Sequence, residues 1–494
     1  MLVYCDFNPE QLYYSLHELI RLAYPACRII REPGPEEETR IQIRMERRPG
    51  AAVINGAILS PQGNTVLKRE EQLRGSEDEQ EGESGRAVRR FTYQMLCRHI
   101  GKSINPYGIL TGVRPVKLVH RLMDVGFSGD KIEKILTEHY LLDTRKASLL
   151  QEVAANNRPY LLSREQAQKL VSIYIGIPFC PSRCSYCSFP GAVLKNYDLE
   201  IKPFLKTLHY EMARIANYLQ QQDISIQTIY IGGGTPTVLS ETDLEEMLDL
   251  IRQHFITPQT REITVEAGRP DTLNPLKLHL MKQAGVNRIC VNPQTMNDST
   301  LIRIGRNHDQ KGVLRSIEWV REAGIQQINM DLIVGLPGEN LPENISTAEK
   351  ILELNPDNIT VHTLSLKRGS EMAETEERAR VGDRVREVQE GVDYYSRRLR
   401  EAGYLPYYMY RQKYMKAGME NTGYARPGYE CLYNIQMIEE RQTIIGLGGG
   451  AGSKFIRPLD WRLSAVYNPK NPAAYQESVE KLIQRKVDKL WALN

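Results

Sequence analysis

No stretch of this 494-residue sequence approaches the roughly 18 consecutive apolar residues that a membrane-spanning helix needs, and Met1-Leu-Val-Tyr-Cys-Asp6 lacks the pattern of a signal peptide. The expectation is a cytoplasmic protein with no membrane partner. Charge of one sign is lacking too: 64 Lys and Arg against 61 Asp and Glu leave +3, and no basic run is interleaved with aromatics. No nucleic-acid partner is expected. Five of the 8 cysteines (Cys5, Cys27, Cys97, Cys290, Cys431) are scattered, which suits reduced, buried thiols and excludes a disulfide framework. No internal repeat at solenoid periods is present. The length exceeds what one compact core accommodates, so two or three domains are expected, and the chain is expected to act as a monomer.

Against that sparse background three cysteines crowd together. Cys180, Cys184 and Cys187 form Cys-x-x-x-Cys-x-x-Cys within Tyr174-Ile-Gly-Ile-Pro-Phe-Cys-Pro-Ser-Arg-Cys-Ser-Tyr-Cys-Ser-Phe-Pro-Gly191, just after a strand-like apolar stretch. Three thiolates on a short loop can hold an iron–sulfur cluster and leave one iron without a protein ligand. A structural zinc site would want four ligands, and neither a second Cys pair nor a nearby His supplies the fourth.

Residues 1–160 read as an N-terminal α/β accessory domain, with a helix over Phe7–Ala23 (Leu12, Ser15, Leu16, Leu19 and Ile20 on one face), a strand over Arg40–Arg47, and a solvated loop over Glu70–Arg90. Pro106-Tyr-Gly-Ile-Leu-Thr-Gly-Val-Arg-Pro115 precedes helical segments to about Asn156. Over 161–370 strands and helices alternate. Strands are expected at Ser172–Ile177, Thr228–Ile231, Glu262–Glu266, Arg288–Asn292, Gln327–Ile333 and Asn358–Thr363, with helices at Ile201–Leu219, Glu241–His254, Pro275–Ala284, Lys311–Ala323 and Glu343–Leu354. Such units would curl into a partial (β/α)6 TIM-like barrel whose strand C-termini carry the site. Residues 371–494 read as a C-terminal mixed α/β extension covering the barrel mouth: a charged helix near Asp383–Glu401, a tyrosine-rich stretch Tyr404–Tyr414, and a loop-like Gly418–Gly428.

Polar residues gather where those strands end. Gly232-Gly-Gly-Thr-Pro-Thr237 follows the second strand, Glu266 ends the third, Gln294 follows the fourth with Arg306 beyond it, and Asp331 lies in the fifth. Core packing alone would not require this, whereas a ligand with ammonium, carboxylate and ribose groups would use it.

These motifs, with Val265-Glu-Ala267, Val291-Asn-Pro-Gln-Thr295, Gly305-Arg-Asn-His-Asp309 and Asn329-Met-Asp-Leu-Ile-Val-Gly-Leu-Pro-Gly338, resemble the radical S-adenosylmethionine superfamily, and within it the oxygen-independent coproporphyrinogen III oxidases. The flanks, including Glu420-Asn-Thr-Gly-Tyr-Ala-Arg-Pro-Gly-Tyr-Glu-Cys-Leu-Tyr-Asn434, look like the coproporphyrinogen dehydrogenase HemZ branch. The resemblance implies a 4Fe-4S cluster on Cys180, Cys184 and Cys187, with S-adenosyl-L-methionine chelating its fourth iron. It implies contacts from Gly233, Gly234 and Thr235 to the amino group, Arg306 to the carboxylate, and Gln294 and Asp331 to the ribose. Ile333 and Ser365 would lie beside the adenine, Tyr174 would line the site, and Glu266 belongs to the same ring. The implied partners are a tetrapyrrole substrate and a one-electron donor. The implied reaction is anaerobic: a 5′-deoxyadenosyl radical removes a hydrogen from a propionate side chain, and loss of carbon dioxide and one more electron leaves a vinyl group.

One departure bears on the reaction. The best-known oxidases carry a further cysteine two positions after the third; here Phe189 stands there, as in the related haem chaperones. The chaperones' C-terminal His-Asn and Tyr-Trp signature is missing as well, the region reading Glu430-Cys-Leu-Tyr-Asn434. Decarboxylation, haem carriage and another radical reaction on a tetrapyrrole, such as methylation with ring opening, therefore all stand. Arg114, Lys117, Arg411 and Arg426 are candidates to face substrate carboxylates. Tyr404, Tyr407, Tyr408, Tyr410 and Tyr414 could stack on a porphyrinogen ring or pack a strand. His308 is expected to make a loop hydrogen bond and Cys431 to be an inert thiol. Gly446-Leu-Gly-Gly-Gly-Ala-Gly452 lacks the βαβ context of a dinucleotide site.

Overall fold

A computed structural model of the chain describes residues 1–25, 27–33, 39–73, 77–187, 192–365, 370–374, 385–412 and 419–491. Near the N-terminus, strands β1 (Leu2–Asn8), β2 (Arg28–Ile30), β3 (Thr39–Arg48), β4 (Ala51–Ser60) and β5 (Gly63–Gln72) form a sheet of order β2-β1-β3-β4-β5. Alternation in β3 buries Thr39, Ile41 and Ile43 against two helices. The helix expected from Phe7 starts instead at Leu12, because Phe7 pairs with Ile43 in β1 and β3 and Pro9 cannot donate to a ladder or a helix. Its buried residues are Leu12, Leu16, Leu19 and Ile20.

Glu70–Arg90 is corrected. It contains the end of β5 and most of a helix, Glu77–Ile100. Glu, Gln and Arg are good helix formers, and the apolar stripe that pins this helix begins only at Ala87 and continues through Val88, Phe91, Met95 and Leu96, all buried. Gly56 in β4 admits the Phe91 ring, which a Cβ would meet at 2.6 Å. The helices Val116–Asp124 and Thr144–Asn157 follow, sharing a core with Tyr107 and the distant Met409.

The six expected strands stand side by side in chain order, all parallel: β6 (Leu170–Ile177), β9 (Ser225–Gly233), β10 (Glu262–Glu266), β11 (Arg288–Cys290), β12 (Gln327–Val334) and β13 (Asn358–Thr363). Helices Tyr197–Gln221, Glu241–Phe255, Pro275–Gln283, Gln310–Glu322 and Leu341–Glu353 separate them. The sheet goes further than six strands. Beyond β6 lie β16 (Ile444–Gly448), parallel to it, and the antiparallel β17 (Gly452–Arg457) and β18 (Arg462–Tyr467); beyond β13 lie β15 (Asn421–Ala425) and β14 (Leu405–Tyr410), both antiparallel. The result is one mixed sheet of 11 strands, order β14-β15-β13-β12-β11-β10-β9-β6-β16-β17-β18.

The loop expected over Gly418–Gly428 is thus corrected by β15. Gly423 conceals it, being where the Tyr408 ring lies across the strand with no room for a side chain. The glycine-rich 446–452 segment forms β16, a turn and the start of β17, a hairpin rather than a dinucleotide fold. The charged helix spans Val385–Glu401. Among the described residues no helix is long and apolar enough to cross a membrane.

Candidate active site

Two loops at neighbouring strand ends are zipped together. After β6 the cysteine loop opens with β7 (Phe179–Cys180), which pairs with β8 (Ala192–Val193) on the loop's far side and so ties its two ends. The glycine motif after β9 runs alongside: Gly234 N donates to Ile177 O (2.8 Å), Thr235 N to Phe179 O (2.8 Å), and Thr235 Oγ1 to Cys180 Sγ (3.4 Å). Gly233 needs its left-handed φ of 113°. A Cβ at Gly234 would run into Phe179 O and stand 3.0 Å from Cys180 Sγ. Cys187 N donates to Cys184 O at 3.0 Å and Ser185 N to Ile304 O at 3.1 Å, which shapes the rest of the loop.

Around these loops lies a cavity of about 320 Å³. Its lining includes every residue that the resemblance assigns to the cluster and S-adenosyl-L-methionine: Cys180, Cys184, Cys187, Tyr174, Gly233, Gly234, Thr235, Glu266, Gln294, Arg306, Asp331, Ile333 and Ser365. Glu266 accepts from Tyr230 OH (2.7 Å) and Gly233 N (3.2 Å); burial, with Asp331 adding to it, pushes its carboxyl up to about 7. Burial also pushes Asp331 up, but His362, Asn329 and Thr360 outweigh it and hold that carboxyl below its usual range. Asn329 Nδ2 donates to Asp331 Oδ1 at 2.8 Å. Gln294 has a φ of 70°. Its amide donates to Asp331 O and its carbonyl accepts from Ile333 N, both at 2.9 Å, locking three predicted residues into one bridge. Tyr174, Tyr230 and Tyr433 stack, with the last two ring centres 4.3 Å apart, so that aromatic bulk lies behind Tyr174.

Arg306 is buried, donating from Nη1 to Gly268 O (2.6 Å) and from Nη2 to Tyr186 OH (2.9 Å), while its Nε has no hydrogen-bond partner. A buried guanidinium with an unmet donor suits an anionic ligand. The donor set likewise suits a cluster, with three thiols on one loop against a glycine that leaves Cys180 uncrowded. Among the described residues no three His, Cys, Asp or Glu side chains are grouped to hold a single metal ion; a cluster places each thiolate on a different iron.

Several lining residues were missed: Ser182, Tyr186, Arg269, Asn292, His362, Gln412 and Asn421. Arg269 had a signal, three positions past Glu266 at the same strand end. Asn421 had none, because it belongs to β15.

Other candidates lie elsewhere. Arg114 and Lys117 pair with Glu440 at 2.5 and 2.7 Å, Arg411 lies over the Tyr107 ring and donates to Leu110 O, and Arg426 covers the Tyr404 ring and bonds Asn355. None of the four lines the cavity. Tyr404, Tyr407 and Tyr408 are buried packing residues; Tyr410 alone of the described tyrosines in that stretch reaches the cavity. His308 meets the Pro293 backbone, a contact that raises its pKa, but burial, with Arg306 and Arg269, outweighs it and pushes the imidazole down to about 3. Cys431 is buried, donating to Glu262 at 3.2 Å. Phe189 and Tyr414 lie outside the described residues.

A mixed α/β sheet whose strand ends bring a Cys-x-x-x-Cys-x-x-Cys loop and a glycine loop onto one polar cavity is the arrangement of a radical S-adenosylmethionine protein. Residues 174–351 match the model of the Radical SAM superfamily. The chain is 35% identical over 485 residues to the oxygen-independent coproporphyrinogen-III oxidase-like protein HemZ of Bacillus subtilis (strain 168), covering 97% of this chain and 96% of that protein. It is 39% identical over 195 residues to the heme chaperone HemW of the same organism, across 39% of this chain and 50% of that one. In structure it resembles the coproporphyrinogen III oxidase HemN of Escherichia coli, described as a radical SAM enzyme, with a TM-score of 0.51 and 22% identity over 68% of this chain and 72% of that one; this likeness shows the fold. The chain belongs to the radical SAM superfamily, alongside the HemZ-type oxygen-independent coproporphyrinogen-III oxidase-like proteins.

Proposed function

We propose that the protein is an oxygen-independent coproporphyrinogen III dehydrogenase of haem biosynthesis, converting propionates to vinyl groups and giving protoporphyrinogen IX. The observation that carries this is the gathering on one cavity of the residues assigned to the cluster and S-adenosylmethionine, in a chain related over nearly its whole length to a coproporphyrinogen-III oxidase-like protein. In this reading the six parallel strands curl as a partial (β/α)6 barrel about the cofactors. The 4Fe-4S cluster and S-adenosylmethionine supply the one-electron chemistry that starts hydrogen abstraction.

The chain's own task is to hold, orient and exclude. Cys180, Cys184 and Cys187 hold the cluster, on a loop kept in place by Gly234 and Thr235. The spare donor of Arg306 meets the carboxylate of S-adenosylmethionine, and Gln294 and Asp331 meet its ribose. Gly233, Gly234, Thr235 and Glu266 surround the amino end; Ile333 and Ser365 flank the adenine. Tyr174 and the rings stacked behind it keep water away from the floor. Tyr410, Gln412 and Asn421 bring the C-terminal region to the cavity wall, where a tetrapyrrole would enter. A separate protein or small molecule supplies the electron.

One finding favours haem carriage as the second reading, the 39% identity to a heme chaperone over 195 residues. A mass-spectrometric inventory of products from the anaerobically reconstituted protein, supplied with coproporphyrinogen III and a reductant, separates the readings. A vinyl-bearing tetrapyrrole formed together with 5′-deoxyadenosine is the expected result. Cofactor cleavage without decarboxylation, where a known oxidase works, rejects it; stoichiometric haem transfer to an apo-protein supports the carrier, and S-adenosylhomocysteine a methylation.

A further inference from the structure

Arg269 has no part in the function proposed above, yet it is only 3% exposed. Taking a guanidinium out of water costs several kcal/mol unless an anion balances it. The buried cations Arg288 and Lys486 have such anions, Glu262 at 3.4 Å and Glu211 at 2.5 Å. Among the described ion pairs Arg269 has no carboxylate. Its fork turns to the cysteine loop instead: Nη1 donates to Ser182 Oγ (2.9 Å), and Nη2 to Ser182 O (2.7 Å) and to Cys184 Sγ (3.2 Å). The Cys184 sulfur, as a cluster-bound thiolate, would be the anion that balances this cation.

The backbone of Arg269 is well anchored. Its carbonyl accepts from Thr272 N at 3.0 Å and from Thr272 Oγ1 at 2.8 Å, in the turn Pro270–Thr272 that follows β10. The fork therefore reaches the loop from a fixed base, and its planar geometry serves the serine and the cysteine together, which a lysine ammonium does not reproduce.

We propose that Arg269 is the positioning residue of the cysteine loop, clamping Ser182 and Cys184 and raising the reduction potential of the cluster by its hydrogen bond to the Cys184 sulfur. A donor and a positive charge at a ligating sulfur favour the electron-rich reduced state, so the clamp makes the electron from the donor easier to accept. The inference rests on the cluster reading.

The test compares the parent protein with Arg269→Met and Arg269→Lys, all reconstituted anaerobically with iron and sulfide. Iron content, circular dichroism and the midpoint potential from an electron-paramagnetic-resonance titration are read for each. Arg269→Met should keep its secondary structure, retain less iron, and show about a tenfold lower reduced-to-oxidised ratio at fixed potential, ~59 mV for a one-electron couple. Arg269→Lys should recover part of the potential, through its charge, but not the iron retention. Parental iron content and potential in Arg269→Met, or complete rescue of both by Arg269→Lys, overturns the proposal. If the methionine variant does not fold, the lysine variant decides: reduced iron retention supports the clamp, and identity with the parent overturns it. A parent protein that takes up no iron instead overturns the cluster reading itself.

Discussion

The two ends of the parallel strands bury charge in opposite ways. Where strands begin, Glu262 opens β10 and Arg288 opens β11, 3.4 Å apart, and Glu262 also accepts from Leu432 N (2.9 Å) and Tyr433 N (3.1 Å) at the start of the helix Leu432–Glu439. Glu440, just before β16, sits among Arg114, Lys117 and Lys454. Its neighbour Glu439, pushed up to about 8 by burial, is carried largely protonated. Charge at that end is balanced within the chain or neutralised. Where strands finish, Arg269 and Arg306 are buried against neutral oxygens and a sulfur, with the Nε of Arg306 unmet. One end closes the fold, and the other is left incomplete for a charged ligand.

The sharpest way to break this contrast is to remove a cluster ligand. Cys184→Ala should abolish cluster absorption and cofactor cleavage while leaving circular dichroism unchanged; unaltered iron content in that variant would end the cluster assignment. Next in size is a pair that fastens the frame. Lys486 and Glu211 are fully buried at 2.5 Å, and Glu211 also accepts from Gly448 N (2.8 Å) and Tyr475 OH (2.7 Å). Lys486→Met leaves that carboxylate unbalanced, so urea denaturation should show a loss of ~3–5 kcal/mol, against a small effect for Arg306→Met, whose charge faces the cavity.

Glu266 sharpens the contrast through pH. Its folded pKa of about 7 lies above the ordinary 4.5, so the protonated form is favoured by folding. The stability it contributes is complete below about 4.5 and is lost as pH rises through about 7, on the order of 3 kcal/mol at most. Denaturation midpoints at pH 5 and pH 8 should differ less in Glu266→Gln than in the parent. The smallest expected effect is at Gly234. An added Cβ crowds Phe179 O and Cys180 Sγ, so Gly234→Ala should cost ~1–3 kcal/mol and lower iron retention, whereas Gly403→Ala, which has open space but a φ of 86°, should alter stability alone.

The core strands were legible because each is a short apolar run with its polar residue immediately after it. All six expected strands match the observed ones to within a few residues at each end; the fourth stops at Cys290, and Gln294 beyond it meets Leu332 of β12 by its own bridge. The helix Glu77–Ile100 was hidden, since its first half is charged and its anchoring residues come late. β15 was hidden by Gly423, whose lack of a side chain reads as loop and serves as packing space for Tyr408.

By itself the sequence determined the superfamily motifs and which residues end the parallel strands, because a strand and the loop that follows it are local and their order survives folding. Only the tertiary structure decided where the remaining charges go. Arg114 and Lys117 turn to Glu440, away from the cavity, while Arg269, unremarked in the sequence, turns to the Cys184 sulfur. The energy of a buried ion depends on which counter-charges the fold brings within a few ångströms, and neighbours far apart in the chain are not written in any local spacing.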